Sequence, residues 1–501
     1  MKLRDLERPL LLGLSVVLSA GLLAAAAVSK QVGGFWPMWG GTVERNQVNP
    51  TEKNMPAEWD VPAGKNVKWV ADLGSQSYGN PVVAGGKVLV GTNNAVPRDP
   101  ETQGDKGVIM CFRESDGELL WQAVHDKLAA GRVNDWPLQG ICSSPYIDGD
   151  RAYYVSNRCE LVCVDMEGFR DGENDGQIQD EKRTREIDAD FVWSLDMMKE
   201  LGVFPHNLAV CSPIVVDGLV FVETGNGVDE GHLRIPSPRA PSFIAVDKDS
   251  GEVAWLDRSP GRKILHGQWA NPAYGIVNGQ AQVYFPGGDG WLYAFEPKGD
   301  PDRPRQSKLI WKFDCNPKDA KWELGGRGTR NNILATPVFH QNKVYIAVGQ
   351  DPEHGFGVGH LWCIDATKSG DVTEAGLVWH YGGEAGKGEF VFGRTMSTVA
   401  IDGDLLFAAE LTGFLHCLDL ATGRPYWKHD MLASVWGSPY VVDGKVYLGD
   451  EDGDVAVFDA KPEKNQLAEN IMSNTVYSTP VAAGGVLYVM QKNQLYALQQ
   501  Q

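Results

Sequence analysis

The sequence predicts an all-β chain folded as an eight-bladed β-propeller, with four-stranded antiparallel blades and a ring closed by an N-terminal strand. Three observations carry that expectation. One unit recurs eight times, from Asn80, Ser144, Ser212, Asn271, Thr336, Ser397, Ser438 and Ser478. A proline, or Thr398 in its place, stands at 81, 145, 213, 272, 337, 398, 439 and 480, and the last two gaps are 41 residues each, the length of a bare four-stranded blade. The final copy ends at Leu498, one strand short, while the segment Asn66-Val67-Lys68-Trp69-Val70 reads as an outer strand without a blade of its own. Joining the two closes the ring and leaves no exposed edge.

The copy from Ser397 to Trp427 shows each element. Residues 396–401 form a first strand, and Asp402-Gly403 a tight turn, because Gly adopts φ > 0 freely. Residues 405–409 and 413–418 are the second and third strands. Thr422-Gly423 turns the chain into a fourth strand opened by Pro425-Tyr426-Trp427. The earlier gaps are about 60 to 70 residues, so those blades carry insertions.

Length alone allows two or three domains, but the repeat assigns residues 66–501 to one ring, preceded by a lead-in over 30–65. Ahead of it, Lys2, Arg4 and Arg8 precede an apolar run over 9–28. This predicts export, either through a signal cleaved at the small residues Ala25 and Ala27 or through a retained membrane anchor, the membrane being reached only through this segment. The domain then faces the periplasm or extracytoplasmic space. Net charge is -19, from 46 basic and 65 acidic residues, which argues against a nucleic-acid partner.

Eight cysteines in an exported chain suggest disulfides. Four of them, Cys111, Cys163, Cys363 and Cys417, share a third-strand slot held elsewhere by Ala245, Ala294, Val457 and Ala497. A small apolar residue is what that slot requires, so these four are expected as free core thiols. Pairing of Cys142, Cys159, Cys211 and Cys315 stays open. No Cys-x-x-Cys-His occurs, so no c-type haem is expected. Trp69, Trp121, Trp193, Trp255, Trp311, Trp379 and Trp427 sit at or near the start of fourth strands and are expected to pack between blades.

The spacing Cys417-x-Asp419-x-x-Thr422-Gly423-x-x-x-Trp427 returns as Ala245-x-Asp247-x-x-Ser250-Gly251-x-x-x-Trp255 and as Cys111-x-Arg113-x-x-Asp116-Gly117-x-x-x-Trp121. It resembles the tryptophan-docking repeat of the pyrroloquinoline quinone (PQQ)-type propellers, a superfamily that includes quinoprotein alcohol dehydrogenases and the outer-membrane assembly factor BamB. The resemblance runs from Trp36 to Leu498, and Trp36-Pro37-Met38-Trp39-Gly40 is similar to the opening segment of such proteins. It is specific for fold and weakly specific for function. The first cysteine is Cys111, so a BamB-like lipid anchor has no attachment residue near the leader.

In a four-stranded blade the second-to-third loops and the links between blades share one face. Insertions at 93–107, 122–142, 196–211, 225–241, 256–271, 312–335, 350–359 and 380–395 are mostly of these kinds and should gather at the mouth of the central channel. They hold His206, Asn207, Asp229, Glu230, His232, His266 and Trp269. They continue with Arg327, Arg330, Asn331, Asp351, Glu353, His354, His360 and Arg394. Convergent His, Arg and Trp at a channel mouth mark a candidate site for a protein partner, a small molecule or a glycan. The plainer alternative is that these groups tie long loops down. His416, on a third strand, reads as structural.

One insertion falls on the opposite face, between the third and fourth strands of the second blade. Asp171-Gly172-Glu173-Asn174-Asp175-Gly176-Gln177-Ile178 resembles an EF-hand calcium loop, with Asp171, Glu173, Asp175, Gln177 and Glu181 as candidate Ca²⁺ ligands. Lys182 occupies position twelve, where a bidentate Glu is usual.

Resemblance to the dehydrogenases implies PQQ, a bridging Ca²⁺ and a catalytic Asp. Adjacent cysteines are absent, the calcium-ligand Asn is matched only within Gly225-Asn226-Gly227, and the catalytic segment reads His266-Gly267-Gln268-Trp269-Ala270. Ala cannot accept a proton. PQQ is therefore not favoured. The leading expectation is an exported binding or assembly module. The alternatives are a PQQ-dependent oxidoreductase with an altered base, such as Asp229, Glu230 or Asp351, and a carbohydrate-binding propeller.

Overall fold

The computed structural model describes residues 34–354, 358–383 and 392–501, without the side chain of His354. The expected signal or anchor over 1–29 lies outside them, as do parts of the insertions 350–359 and 380–395. The ring lies within the compact unit Gln31–Gln501. Among the described residues no helix is long and apolar enough to cross a membrane.

Eight sheets of four antiparallel strands form the blades, and three of them gain a short fifth, parallel strand at one edge. Blades 1 to 8 begin with Val82–Ala84, Tyr146–Asp148, Ile214–Val216, Ala273–Val277, Val338–His340, Ala400–Asp402, Tyr440–Val442 and Val481–Ala483. Blade 8 is completed as the sequence predicts. Val67–Asp72 runs antiparallel to Gln494–Leu498, with Trp69 opposite Ala497.

The residue ahead of each first strand joins one blade to the next. The N–H of Asn80 donates to Ser144 Oγ (2.6 Å), Ser144 N–H to Ser212 Oγ (2.9 Å) and Ser212 N–H to Asn271 Oδ1 (2.6 Å). Asn271 Nδ2 reaches Thr336 Oγ1 at 2.9 Å. Thr398 N–H donates to Ser438 Oγ, Ser438 N–H to Thr479 Oγ1, and Thr479 N–H back to Asn80 Oδ1, each at 2.9 Å. A side chain carrying an oxygen serves seven of these joints, which accounts for the recurring Ser, Thr or Asn; at the blade 5 to blade 6 joint Thr398 Oγ1 is buried without a partner. Blade 6 corrects the sequence alignment by one residue. Thr398 is the joint residue, so Val399 holds the proline slot, and the first turn falls on Gly403 and Asp404 with Asp402 opposite Leu405. Gly403 supplies the positive φ (57°) that this turn needs.

The tryptophans dock as expected. The Nε1–H of Trp69, Trp121, Trp193, Trp255, Trp379 and Trp427 donates to a carbonyl of the following blade: Glu114, Met166, Lys248, Pro297, Leu420 and Lys461, at 2.7 to 3.0 Å. Trp311 donates to Gln282 Oε1, and Gln282 Nε2 relays to the Ala366 carbonyl. A glycine on the following blade lies against the indole. A Cβ at Gly117, Gly251 or Gly423 would meet the ring of Trp69, Trp193 or Trp379 at 2.6 to 2.8 Å. All eight cysteines are free, and the four in the third-strand slot are buried opposite these tryptophans.

The lead-in has a role that the repeat does not announce. Trp36 pairs with Val83, and the carbonyls of Pro37, Val43, Glu44 and Gln47 accept from Ile147, Tyr274, Phe339 and Val441. Asn46 Oδ1 accepts from Ile401 N–H, and Asn49 Nδ2 donates to the Ala482 carbonyl. Arg45, fully buried, donates to the carbonyls of Trp39, Ser212, Pro213 and Pro272. The segment thus touches the first strand of seven blades and, through Arg45, the start of the eighth.

Candidate functional site

The links between blades converge. A cavity of about 350 Å³ is walled by Trp39 of the lead-in together with Tyr78, Trp136, Trp269, Trp436 and Tyr477, each from a different link. Tyr78 and Tyr477 stack at 4.9 Å, with Trp436 edge-on to Tyr477. Asn207, Ser212, Asn271, Thr336 and Glu353 add polar groups to the wall. The cavity lies on the face that carries the links between blades.

Against that wall the structure gathers His206, His232 and His266 with Glu353. Their ligand atoms all lie within 4.8 Å of one another. His266 Nε2 stands 3.2 Å from His232 Nε2 and 3.6 Å from Glu353 Oε2, and His232 Nε2 lies 3.9 Å from the same oxygen. His266 Nδ1 is 2.9 Å from Asp351 Oδ2. His206 Nδ1 is 3.0 Å from the Val228 carbonyl, an acceptor only, so the Nδ1 proton stays and Nε2 carries the lone pair. That Nε2 is buried and has no hydrogen-bond partner. Burial, then the imidazoles of His266 and His232, push the His206 pKa down to about 3, so the ring is neutral.

Local backbone features aim these rings. His232 has φ 56°, in the left-handed region, at the tip of a turn that Asp229 builds by accepting from Leu233 and Arg234 N–H. His206 lies on a bridge between Pro205 and Asn226. A Cβ at Gly227 would meet His206 Cβ at 2.6 Å, and one at Gly325 would meet His232 Cβ at 2.6 Å, so both close approaches require glycine. Trp269 covers the cluster, stacked on His206 and edge-on to His266, with Nε1 donating to the Leu208 carbonyl.

The other predicted residues serve their loops. Asn226 Oδ1 accepts from Phe204 N–H and its Nδ2 donates to the Ser237 carbonyl. Asn207 lines the cavity, and Arg394 donates to the Pro352 carbonyl beside Asp351. Arg330 forks onto Asp314, the Asn331 backbone pairs with the Asn316 amide, and Glu230 lies 3.7 Å from Arg132. Arg327 is exposed. His360 pairs with His380 and stacks on Trp362. The side chain of His354 lies outside the described residues. Glu353 appears in the sequence only as one loop carboxylate among several, and nothing in its neighbours marks it as part of the cluster.

The five candidate calcium ligands are not brought to one point. Asp171 caps Glu173 N–H, Asp175 pairs with Arg151 at 3.3 Å, and Gln177 Nε2 donates to the Ser250 carbonyl. Glu181 accepts from Asn174 and from Phe191 N–H, and Glu173 is exposed. The insertion instead stitches blade 2 to blade 1: Gln122 pairs with Ile187 and Ala189, and Arg185 bonds Asp99.

A family model described as "Outer membrane protein assembly factor BamB" matches residues 105–399 and 370–501. The chain belongs to the BamB-like family. Among solved structures, BamB from Moraxella catarrhalis is 12% identical, covers 86% of this chain and 97% of its own, and has a TM-score of 0.51. A computationally designed protein, Ika8, is 10% identical, with 86% and 99% coverage and a TM-score of 0.52. A europium-containing methanol dehydrogenase is 11% identical, with 91% and 89% coverage and a TM-score of 0.48. No curated protein matches at the sequence level.

The sequence resemblance to the PQQ dehydrogenases implies a quinone and a calcium ion, and the residues at the two matching segments can be compared with that expectation. The residues here do not fit. Ala270 is buried where a catalytic carboxylate is expected, and both polar atoms of the Asn226 amide are engaged by loop backbone.

Proposed function

We propose that the protein is an exported binding module of BamB-like fold, which holds a ring-bearing group at the aromatic mouth of its channel. That group is a sugar of a glycan or an aromatic side chain of a protein partner. One observation carries the reading: six aromatic side chains from six separate segments of the chain wall a single cavity of about 350 Å³. Rings of this kind supply contact area at small entropic cost, and the cavity volume is that of a small-ligand pocket. The basic-then-apolar N-terminus supports export. The buried Ala270 supports a role without quinone catalysis.

Four of the wall residues are tryptophans, so indole fluorescence reports occupancy. Titration with soluble glycans and with aromatic peptides is expected to give a saturable change that Trp269→Ala and Trp436→Ala each weaken at least tenfold, about 1.4 kcal/mol. Steady oxidation of an alcohol or sugar, dependent on added PQQ and Ca²⁺, would replace this reading with the dehydrogenase one.

A further inference from the structure

We propose that His206, His232, His266 and Glu353 form a binding site for one divalent first-row transition-metal ion, zinc being the reference case. The inference is independent of what enters the channel mouth.

The donor set selects the class of ion. Three imidazoles and one carboxylate suit Zn²⁺ and its first-row neighbours, whereas Ca²⁺ takes oxygen ligands. The spacing agrees. With metal–nitrogen bonds of about 2.0–2.1 Å, the ligand atoms of a tetrahedral site stand about 3.4 Å apart. Here three of the separations are 3.2, 3.6 and 3.9 Å.

Two further observations point to a ligand. His206 Nε2 is a buried acceptor without a partner, on a residue with no solvent exposure. Leaving such a group unsatisfied is unfavourable, and an ion accepting its lone pair would remove that cost. Second, the outer atoms of two rings are already held as metal-ligating histidines usually are. Val228 fixes the Nδ1 side of His206, and the Asp351 carboxylate fixes that of His266. The positive φ of His232 is a conformation that surrounding structure must enforce, and here it turns the imidazole into the cluster. Asp351 acts as a positioning residue rather than a ligand. Glu353, with 45% of its side chain exposed, is the one ligand that also lines the cavity, so the ion would face the mouth on that side.

The plainer account is a packed histidine cluster in which His266 and His232 share a proton. It leaves His206 Nε2 unsatisfied and predicts no metal retention.

The test uses the full-length chain, incubated separately with Zn²⁺, Co²⁺ and Ca²⁺, dialysed, and assayed for metal content. About one equivalent of Zn²⁺ or Co²⁺ is expected and no Ca²⁺, with Zn²⁺ raising the melting temperature. The Co²⁺ form should show the intense visible bands of a four-coordinate site. His206→Ala and His266→Ala should abolish retention, and Asp351→Asn should weaken it about 10–100-fold. Glu353→Gln, at the exposed edge and harmless to folding, should alter the Co²⁺ spectrum. Metal content below about 0.1 equivalent in the wild-type chain overturns the proposal. So does undiminished retention in folded His206→Ala, or, should that variant not fold, an unchanged affinity and Co²⁺ spectrum in Glu353→Gln.

Discussion

Arg45 is the side chain on which the inner ring depends most. Its guanidinium is buried and donates to four carbonyls drawn from the lead-in and from the starts of blades 3 and 4. Arg45→Met leaves those buried carbonyls without a donor, and a loss of at least about 1–3 kcal/mol in urea unfolding is expected, the desolvation cost of a buried acceptor left unsatisfied. Asp289 gives a pH signature of its own. Burial pushes its pKa up to about 6, against the opposing bond from Tyr293 Oη. The folded state therefore keeps a proton that the unfolded state gives up from about pH 4. This contribution to stability is full below that pH, falls as pH rises to about 6, and is flat beyond. Asp289→Asn should shrink the loss of melting temperature between about pH 4 and pH 7. At this scale the sequence was a partial guide. His206, His232, His266, Trp269 and Asp351 stand out as polar or aromatic residues on long insertions, and the structure brings all five together. Arg330, Asn226 and Glu230 look the same in sequence but serve loop backbone or a neighbouring charge, because residue type does not encode which partner lies nearest.

Neighbouring blades are held by a recurring pair, an indole on one and a glycine on the next. Trp193 and Gly251 are representative: the ring fills the space where a Cβ would stand, and Gly251 has φ 73°. Trp193→Ala is expected to cost about 3–5 kcal/mol through lost burial and the cavity left behind. Gly251→Ala alone should also destabilise, by strain and by collision with the ring. In the double variant the collision is gone, so the two effects should sum to less than their separate values, a coupling that a double-mutant cycle in urea measures directly. Elements of this kind were legible because repetition reveals spacing even when identities drift. Thr398 shows the limit. Blade 6 has no proline to anchor the alignment, and its register is fixed by the hydrogen bond to Ser438 and by the pairing of Asp402 with Leu405. The acidic insertion of blade 2 shows another. Its ligand-like spacing is satisfied equally well by loop caps and by one ion pair with Arg151.

The whole ring is a closed circuit with a clasp, and the clasp joins the two ends of the described chain. Removing residues 30–72 from the leader-free chain 30–501 should leave Gln494–Leu498 as an open apolar edge, so the shortened protein is expected to elute as aggregate in size-exclusion chromatography with light scattering, while the chain 30–501 stays soluble. Closure was readable from a missing strand at one end and a spare one at the other. The circuit made by the lead-in was not, since its contacts are mostly backbone carbonyls that no side-chain pattern announces. Gln494 and Asp72, bonded across the clasp at 2.9 Å, are separated by 422 positions. A ribosome adds about 5–20 residues each second, so tens of seconds pass between the making of the first half of the clasp and the second. Throughout that interval the nascent chain carries an unmated strand at both ends. A propeller of this topology cannot close before its last strand is made, and whatever shelters unfinished chains must attend it until then.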